Sequence, residues 1–158
     1  MKIELWAIGK TNEKYLEEGI TIYLKRLKHY INFEFSVIPD IKQAGNLNAL
    51  QLKNKEGETI LARLKNEDFL ILLDEKGDVY TSEAFADYIQ QKLQISYKRI
   101  IFLIGGAYGF SEDLYVRANS KLSLSKMTFS HQMVRLFFVE QLYRAMTILK
   151  NEPYHNGG

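Results

Sequence analysis

Two uninterrupted apolar runs, Phe69–Leu73 and Ile100–Ile104, set the strongest limit on what this chain can fold into. A strand that is apolar at every position presents apolar side chains to both faces of its sheet, so both faces have to be covered. Neither run approaches the length of a membrane span, and no other run does. The expectation is a pair of central strands in a mainly parallel sheet, with helices packed on both faces.

The rest of the chain fits that frame. Ile3 to Ile8 reads as a first strand. Tyr15, Leu16, Gly19, Ile20, Tyr23, Leu24 and Leu27 recur at helical spacing, so Asn12 is expected to cap a helix running to about His29. Phe33, Phe35 and Val37 alternate with polar residues as in a strand that ends at Pro39. Residues 40–48 read as loop and Leu50 to Leu64 as a weaker helix. Glu75-Lys76-Gly77-Asp78 reads as a turn. Thr81 or Ser82 can cap a helix carrying Phe85, Tyr88, Ile89 and Leu93, and Ser111 a short helix with Glu112 and Asp113 in its first turn. Leu122 and Leu124 suggest a short strand. Ser130 can cap a last helix from about His131 to Lys150, with Met133, Leu136, Phe137, Leu142, Met146 and Leu149 as its apolar positions. No repeat or Pro/Gly linker divides the 158 residues, which are read as a single α/β domain, 1–158.

Charge and composition narrow the chemistry. The net charge of +2 conceals an asymmetry. From Arg117 onward there are six Lys/Arg and two acids, a local +4, so the first 116 residues carry −2. A basic segment suits a polyanion such as RNA, and it equally suits a solvated face. There is no cysteine, which excludes disulfides and thiolate catalysis and suits a cytoplasmic setting. The start, Met1 to Lys10, turns polar too early for a signal peptide. His29, His131 and His155 have no metal-ligand spacing, so no metal is expected.

Three segments remain as carriers of function. Gly105-Gly106-Ala107-Tyr108-Gly109 joins the second apolar run to a helix, the arrangement of a ligand loop at the C-terminal edge of an α/β sheet. Its spacing matches neither a dinucleotide fingerprint nor a P-loop, and a tight packing turn explains it equally well. Leu122 to His131 mixes apolar side chains with hydroxyls. Such a loop can hold an adenine by main-chain hydrogen bonds, or it can be a strand followed by a capped helix. In the last helix and tail, His131 and Arg135 share a face, and Glu140 and Arg144 have ion-pair spacing. Tyr154 and His155 suit stacking on bases or a solvated terminus.

Taken together and in order, several pieces resemble the family of ribosomal RNA large subunit methyltransferase H, a small SPOUT-class enzyme. They are Ile3-Glu4-Leu5-Trp6-Ala7-Ile8-Gly9-Lys10, Lys55-Glu56-Gly57, Leu73-Asp74, Leu103-Ile104-Gly105-Gly106-x-x-Gly109, Leu122 through Phe129, His131-x-x-x-Arg135, Glu140 through Ala145 and Pro153-Tyr154-His155. The chain departs from the family at Ser130, where a proline is usual, and after His155, where Asn156-Gly157-Gly158 replaces a basic residue.

The resemblance implies a C-terminal trefoil knot, which connectivity rules alone would reject. It further implies a homodimer formed through the knot and S-adenosyl-L-methionine (SAM) as methyl donor. The implied reaction is methylation of N3 of pseudouridine 1915 in 23S rRNA on the assembled 70S ribosome. By position, Leu73, Gly105, Leu124, Ser125, Lys126, Met127, Thr128 and Phe129 would line the SAM site. Arg135 and Arg144 are candidate catalytic cations and His155 a candidate for proton handling, while His131, Tyr143 and Tyr154 are candidate substrate contacts. Two rival readings are a non-enzymatic nucleotide-binding module and a ribosome-assembly factor.

Overall fold

The computed structural model of the chain describes residues 1–157. Five strands form one sheet: β1 (Lys2–Ile8), β2 (Phe33–Ile38), β3 (Phe69–Val79), β4 (Arg99–Ile104) and β5 (Ser120–Ser123), in the spatial order β2-β1-β4-β3-β5. All four pairings are parallel. The helices are α1 (Lys14–Leu27), α2 (Ala49–Arg63), α3 (Ser82–Leu93), α4 (Glu112–Arg117), α5 (Met133–Leu149) and α6 (Tyr154–Gly157).

The two apolar runs are the sheet's centre, and their consecutive side chains feed two separate cores. Ile71, Ile100, Phe102 and Ile104 face one side, where they pack with residues of α1, α3 and α5. Leu70, Leu72, Ile101 and Leu103 face the other, against Ile60 of α2 and Leu114 of α4. Helices therefore cover both faces, as the continuous runs require. The Phe102 and Phe138 rings, 4.7 Å apart between centroids, lock α5 onto β4; truncation of a phenylalanine so placed costs about 3–5 kcal/mol.

Several local expectations are revised. Asn12 does not cap α1: the N-cap is Glu13, without a side-chain bond. The Asn12 N–H instead donates to Gln132 Oε1 at 2.9 Å, which ties this linker to the start of α5. The 40–48 segment contains a short 3₁₀ turn, Ala44–Asn46, and ends in a capping box formed by Asn48 and Gln51 at the start of α2. Thr81, not Ser82, caps α3, and Ser111 caps α4. α5 starts at Met133, with Gln132 at its N-cap and no side-chain cap bond, so Ser130 does not hold the cap position, although its Oγ accepts from the Met133 N–H at 3.1 Å. The buried stripe of α5 runs through Arg135, Phe138, Val139, Leu142, Ala145 and Met146; Met133, Leu136, Phe137 and Leu149 are only partly covered.

The largest revision is Glu75–Asp78, which continues β3 and does not form a turn. Leu122 of β5 is aligned first with Leu73 and again with Asp78, so residues 74–77 bulge out of the pairing before β3 rejoins β5. Gly77 permits it. A Cβ there would stand 2.6 Å from the Leu122 nitrogen and 2.7 Å from the Lys121 carbonyl carbon, both rigid backbone atoms.

Candidate functional site

The middle of β3 and the C-terminal ends of β4 and β5 open onto a cavity of ≈ 390 Å³. Three chain segments wall it: Leu73 to Glu75 from β3, Ile104 to Phe110 after β4, and Ser123 to Val134 between β5 and α5. A crevice beyond the carboxyl ends of parallel strands is where open α/β sheets bind ligands. Much of the wall is backbone. Gly105 and Gly106 are half-buried glycines, and Ser123 Oγ and Ser125 Oγ bond the loop's own main chain, to Ser125 O at 2.7 Å and from Met127 N at 3.0 Å.

Leu73, Gly105, Leu124, Ser125, Met127, Thr128 and Phe129 all border this one cavity, and so does His131. Lys126 shares the loop but is exposed and is not among the lining residues. Met127 is 75% exposed, a large apolar side chain held at the mouth with nothing on the chain covering it.

The cavity's charge is one-sided. Its described lining includes Asp74 and Glu75 and no lysine or arginine. Tyr115 donates to Asp74 Oδ2 at 2.6 Å, tying α4 to β3, and Thr128 donates to Glu75 Oε2 at 2.7 Å, clasping the 123–134 loop to the same strand. Burial and the Asp74 carboxylate together push the Tyr115 hydroxyl up to about 12, so it stays a donor. Behind the wall, Glu56 of α2 is buried against Gly106, with its Oε1 unpartnered among the described residues. A Cβ on Gly106 would meet both Glu56 oxygens at 2.7 Å, so the carboxyl occupies the space a side chain there would take. Burial, and then the Asp40 charge, push that carboxyl above its ordinary range. Apart from Leu73-Asp74, these acids carried no functional expectation from sequence. Glu56 stood within the Lys55-Glu56-Gly57 run, but its partner Gly106 is fifty residues away.

The candidate catalytic groups lie elsewhere. Arg135 is 0% exposed. Its Nη1 donates to Gly9 O at 2.8 Å and Thr11 Oγ1 at 3.2 Å, and Nη2 donates to Ile8 O at 2.9 Å. The guanidinium thus staples α5 to the end of β1 and has no face turned to a ligand. Burial pulls its pKa down, with Asp40 opposing.

Arg144, His155, Tyr143 and Tyr154 form a second cluster where α6 folds back on α5. Arg144 bonds Glu140 Oε1 at 3.1 Å, lies 4.9 Å above the Tyr154 ring and reaches His155 Nδ1 at 3.0 Å. His155 Nε2 meets Glu83 Oε1 at 2.7 Å. An arginine only donates, so Nδ1 accepts and Nε2–H donates to Glu83, which assigns the ring's neutral tautomer. Both nitrogens are then engaged within the chain. The Tyr143 and Tyr154 rings meet edge-on at 4.7 Å, and Tyr154 and Tyr23 share a hydroxyl bond of 3.0 Å. Burial first, and then that bond, raise the Tyr154 pKa. None of these four residues borders the cavity. No group of three or more potential metal ligands occurs among the described residues, and no described helix is long and apolar enough to cross a membrane.

A parallel sheet with a backbone-walled crevice formed by late strands fits one class of enzyme, and comparison with known proteins agrees. The family described as "Predicted SPOUT methyltransferase" matches residues 1–155, and the chain belongs to it. Among its relatives, the ribosomal RNA large subunit methyltransferase H of Christiangramia forsetii is 62% identical over 99% of both chains. The proteins of the same name from Parabacteroides distasonis and Porphyromonas gingivalis strain W83 are 58% and 49% identical, again over 99% of both chains.

Proposed function

We propose that this chain uses SAM to methylate N3 of pseudouridine 1915 in 23S rRNA on the assembled ribosome, in the cytoplasm and as a homodimer. The observation that carries the donor assignment is the cavity's one-sided charge. A sulfonium is a cation, and the wall offers Asp74 and Glu75 with no opposing lysine or arginine. The backbone of the glycine turn and of residues 124–129 supplies donors and acceptors for an adenine, while Leu73, Leu124, Met127 and Phe129 supply apolar cover. When bound, SAM supplies an electrophilic methyl whose bond electrons remain on sulfur after transfer.

The chain's own part is to hold the nucleobase in line with that methyl, which makes a bimolecular step effectively intramolecular. N3 has to lose its proton, and the anion that develops favours a nearby cation. The described lining of a single chain's cavity includes no lysine or arginine, while the Arg144–Tyr154–His155 cluster holds a cation and lies outside that lining. A homodimer that sets one subunit's tail cluster over the other's cavity would unite them. His155 acts there as a base only by giving up Arg144, which holds its Nδ1 lone pair, so placement of the base is the role its contacts favour. Arg135 is assigned to structure. The C-terminal trefoil knot belongs to the same reading.

Transfer of a labelled methyl from SAM to 70S particles lacking the modification tests the proposal. The expected result is one methyl per particle on the pseudouridine, with naked rRNA a poor substrate. Equal ribosome binding with and without SAM, and no transfer, would replace it with an assembly factor.

A further inference from the structure

Glu56 has no place in the reaction as described so far, yet it is the most costly polar group near the cavity. It is 8% exposed, and neither a hydrogen-bond donor nor a cation meets its buried Oε1 among the described residues. A carboxyl left in that state destabilises a fold, and an apolar or amide side chain of similar size would relieve it. Two features direct it at the cavity. Its oxygens are stacked on the backbone of Gly106, which is itself part of the cavity wall. The missing side chain at Gly106 also keeps the wall between carboxyl and cavity to the thickness of one peptide. Asp40, exposed at the end of β2, is the charged group that acts on Glu56, and it has the same sign. From α4, the neighbour is the uncharged Ser111, packed at Gly57. The cavity's own acids are differently placed, since Asp74 and Glu75 are each engaged by a hydroxyl.

We infer that Glu56 is a specificity residue that reads the charge of the donor, favouring a cationic sulfonium over the neutral thioether left after transfer. The inference rests on the donor-cavity assignment above. In the transfer the carbon–sulfur bond breaks with its electron pair kept by sulfur, the nucleobase nitrogen forms the new bond to carbon, and the nitrogen's proton passes to solvent. Donor and product then differ by one methyl and one positive charge. Contacts to adenine and ribose cannot tell them apart, whereas Glu56 can: a bound cation favours its ionised form, which burial and Asp40 disfavour in the empty cavity, and Coulomb attraction needs no contact. Loss of the charge at transfer releases the product from that attraction, so the same group that helps donor binding helps turnover.

The test is calorimetric titration of the full-length protein with SAM and with S-adenosylhomocysteine, in wild type and in Glu56→Gln. The expected result is a fall of about tenfold in the ratio of SAM to S-adenosylhomocysteine affinity, as for unit charges roughly 12 Å apart at an effective dielectric of about 20. Affinity for the neutral product should stay within about twofold. Parallel weakening of both ligands would reduce Glu56 to a packing residue and overturn the inference, as would an unchanged ratio. Should Glu56→Gln fail to fold, Glu56→Met carries the test, because it removes the charge and the unpartnered oxygen together: the same fall in the ratio supports the inference and an unchanged one overturns it. A wild-type protein that binds neither ligand, or binds both undisturbed by Thr128→Trp at the cavity wall, would instead overturn the donor cavity and this inference with it.

Discussion

Arg135→Met separates two roles that the sequence alone left joined. As a catalytic cation, Arg135 would be dispensable for folding and essential for transfer. Its surroundings say the reverse. Three hydrogen bonds, to Gly9 O, Thr11 Oγ1 and Ile8 O, leave from a side chain with no exposed surface. Hydrogen bonds from a charged donor contribute about 1.5–3 kcal/mol each, and buried carbonyls left without donors cost about 1–3 kcal/mol. Against this, methionine relieves the desolvation of a guanidinium that has no carboxylate bonded to it and whose Nε is unpartnered. The balance is a net destabilisation of about 2–4 kcal/mol, or a fall in Tm of about 6–12 °C for a domain of this size.

Thermal and urea melts of Arg135→Met and Arg135→Lys measure this directly. The lysine variant should fall between wild type and methionine, since one ammonium cannot span the carbonyls of Ile8 and Gly9 together. Transfer assayed well below the lowered Tm should retain most of its rate. Arg135→Met with an unchanged Tm, intact SAM binding and a hundredfold loss of transfer would refute the structural assignment and restore a catalytic one.

Further outcomes follow from single contacts. Gly77→Ala should cost more than about 3 kcal/mol, because its Cβ meets backbone of β5 that has nowhere to move. Gly45→Ala, with nothing within 4 Å, should melt like wild type. Asp68 is 2% exposed and forked by Arg99, with Nε to Oδ1 at 2.9 Å. Burial pushes its carboxyl up, but the Arg99 bonds and the Lys65 N–H outweigh this and hold it below the usual range. Its folded pKa lies below its unfolded one, so its stabilisation is present above the ordinary carboxylate range and is lost as pH falls through the folded value. Asp68→Asn should therefore lose stability at neutral pH and flatten the acid limb of a urea-midpoint profile. Glu83→Ala deprives His155 Nε2 of its acceptor; hydrogen exchange at 154–156 should speed up while amides around Phe138 hold.

The parts of this molecule that were legible in sequence are those decided by periodicity. Phe69–Leu73 and Ile100–Ile104 announced central strands because five consecutive apolar residues have few other uses, and β1, α1 and α3 followed from spacing. What failed was decided by distant partners. Asn12 is a good cap residue, but its N–H was taken by Gln132, 120 residues away. Glu75-Lys76-Gly77-Asp78 has turn composition, yet β5 turns it into strand, and the sign that it would do so is a glycine whose neighbours no local pattern names. Arg135 and His131 have the spacing of one helical face, but His131 lies in the turn ahead of α5 and borders the cavity, while Arg135 points into the protein. The cavity's glycine turn and its 124–129 loop were visible as candidates only. Composition cannot separate a packing turn from a ligand loop, because both need backbone in close approach.

Charge shows the same division most clearly. The segment from Arg117 onward is the basic part of the chain, and it also builds nearly half of a cavity whose described lining has no lysine or arginine. The two facts are compatible because each nearby cation is directed elsewhere. Lys126 is exposed, Arg135 is spent on β1 carbonyls, and Arg144 is held by Glu140 and His155. A polyanion approaching this region would meet positive charge outside, while a cation entering the cavity would meet Asp74, Glu75 and, through Gly106, Glu56. A methyltransferase that takes a cationic donor to an anionic polymer needs both signs within a few ångströms of one another. Here the separation is made by helical phase on α5 and by the absence of a side chain at Gly106, neither of which enters a sum over residues.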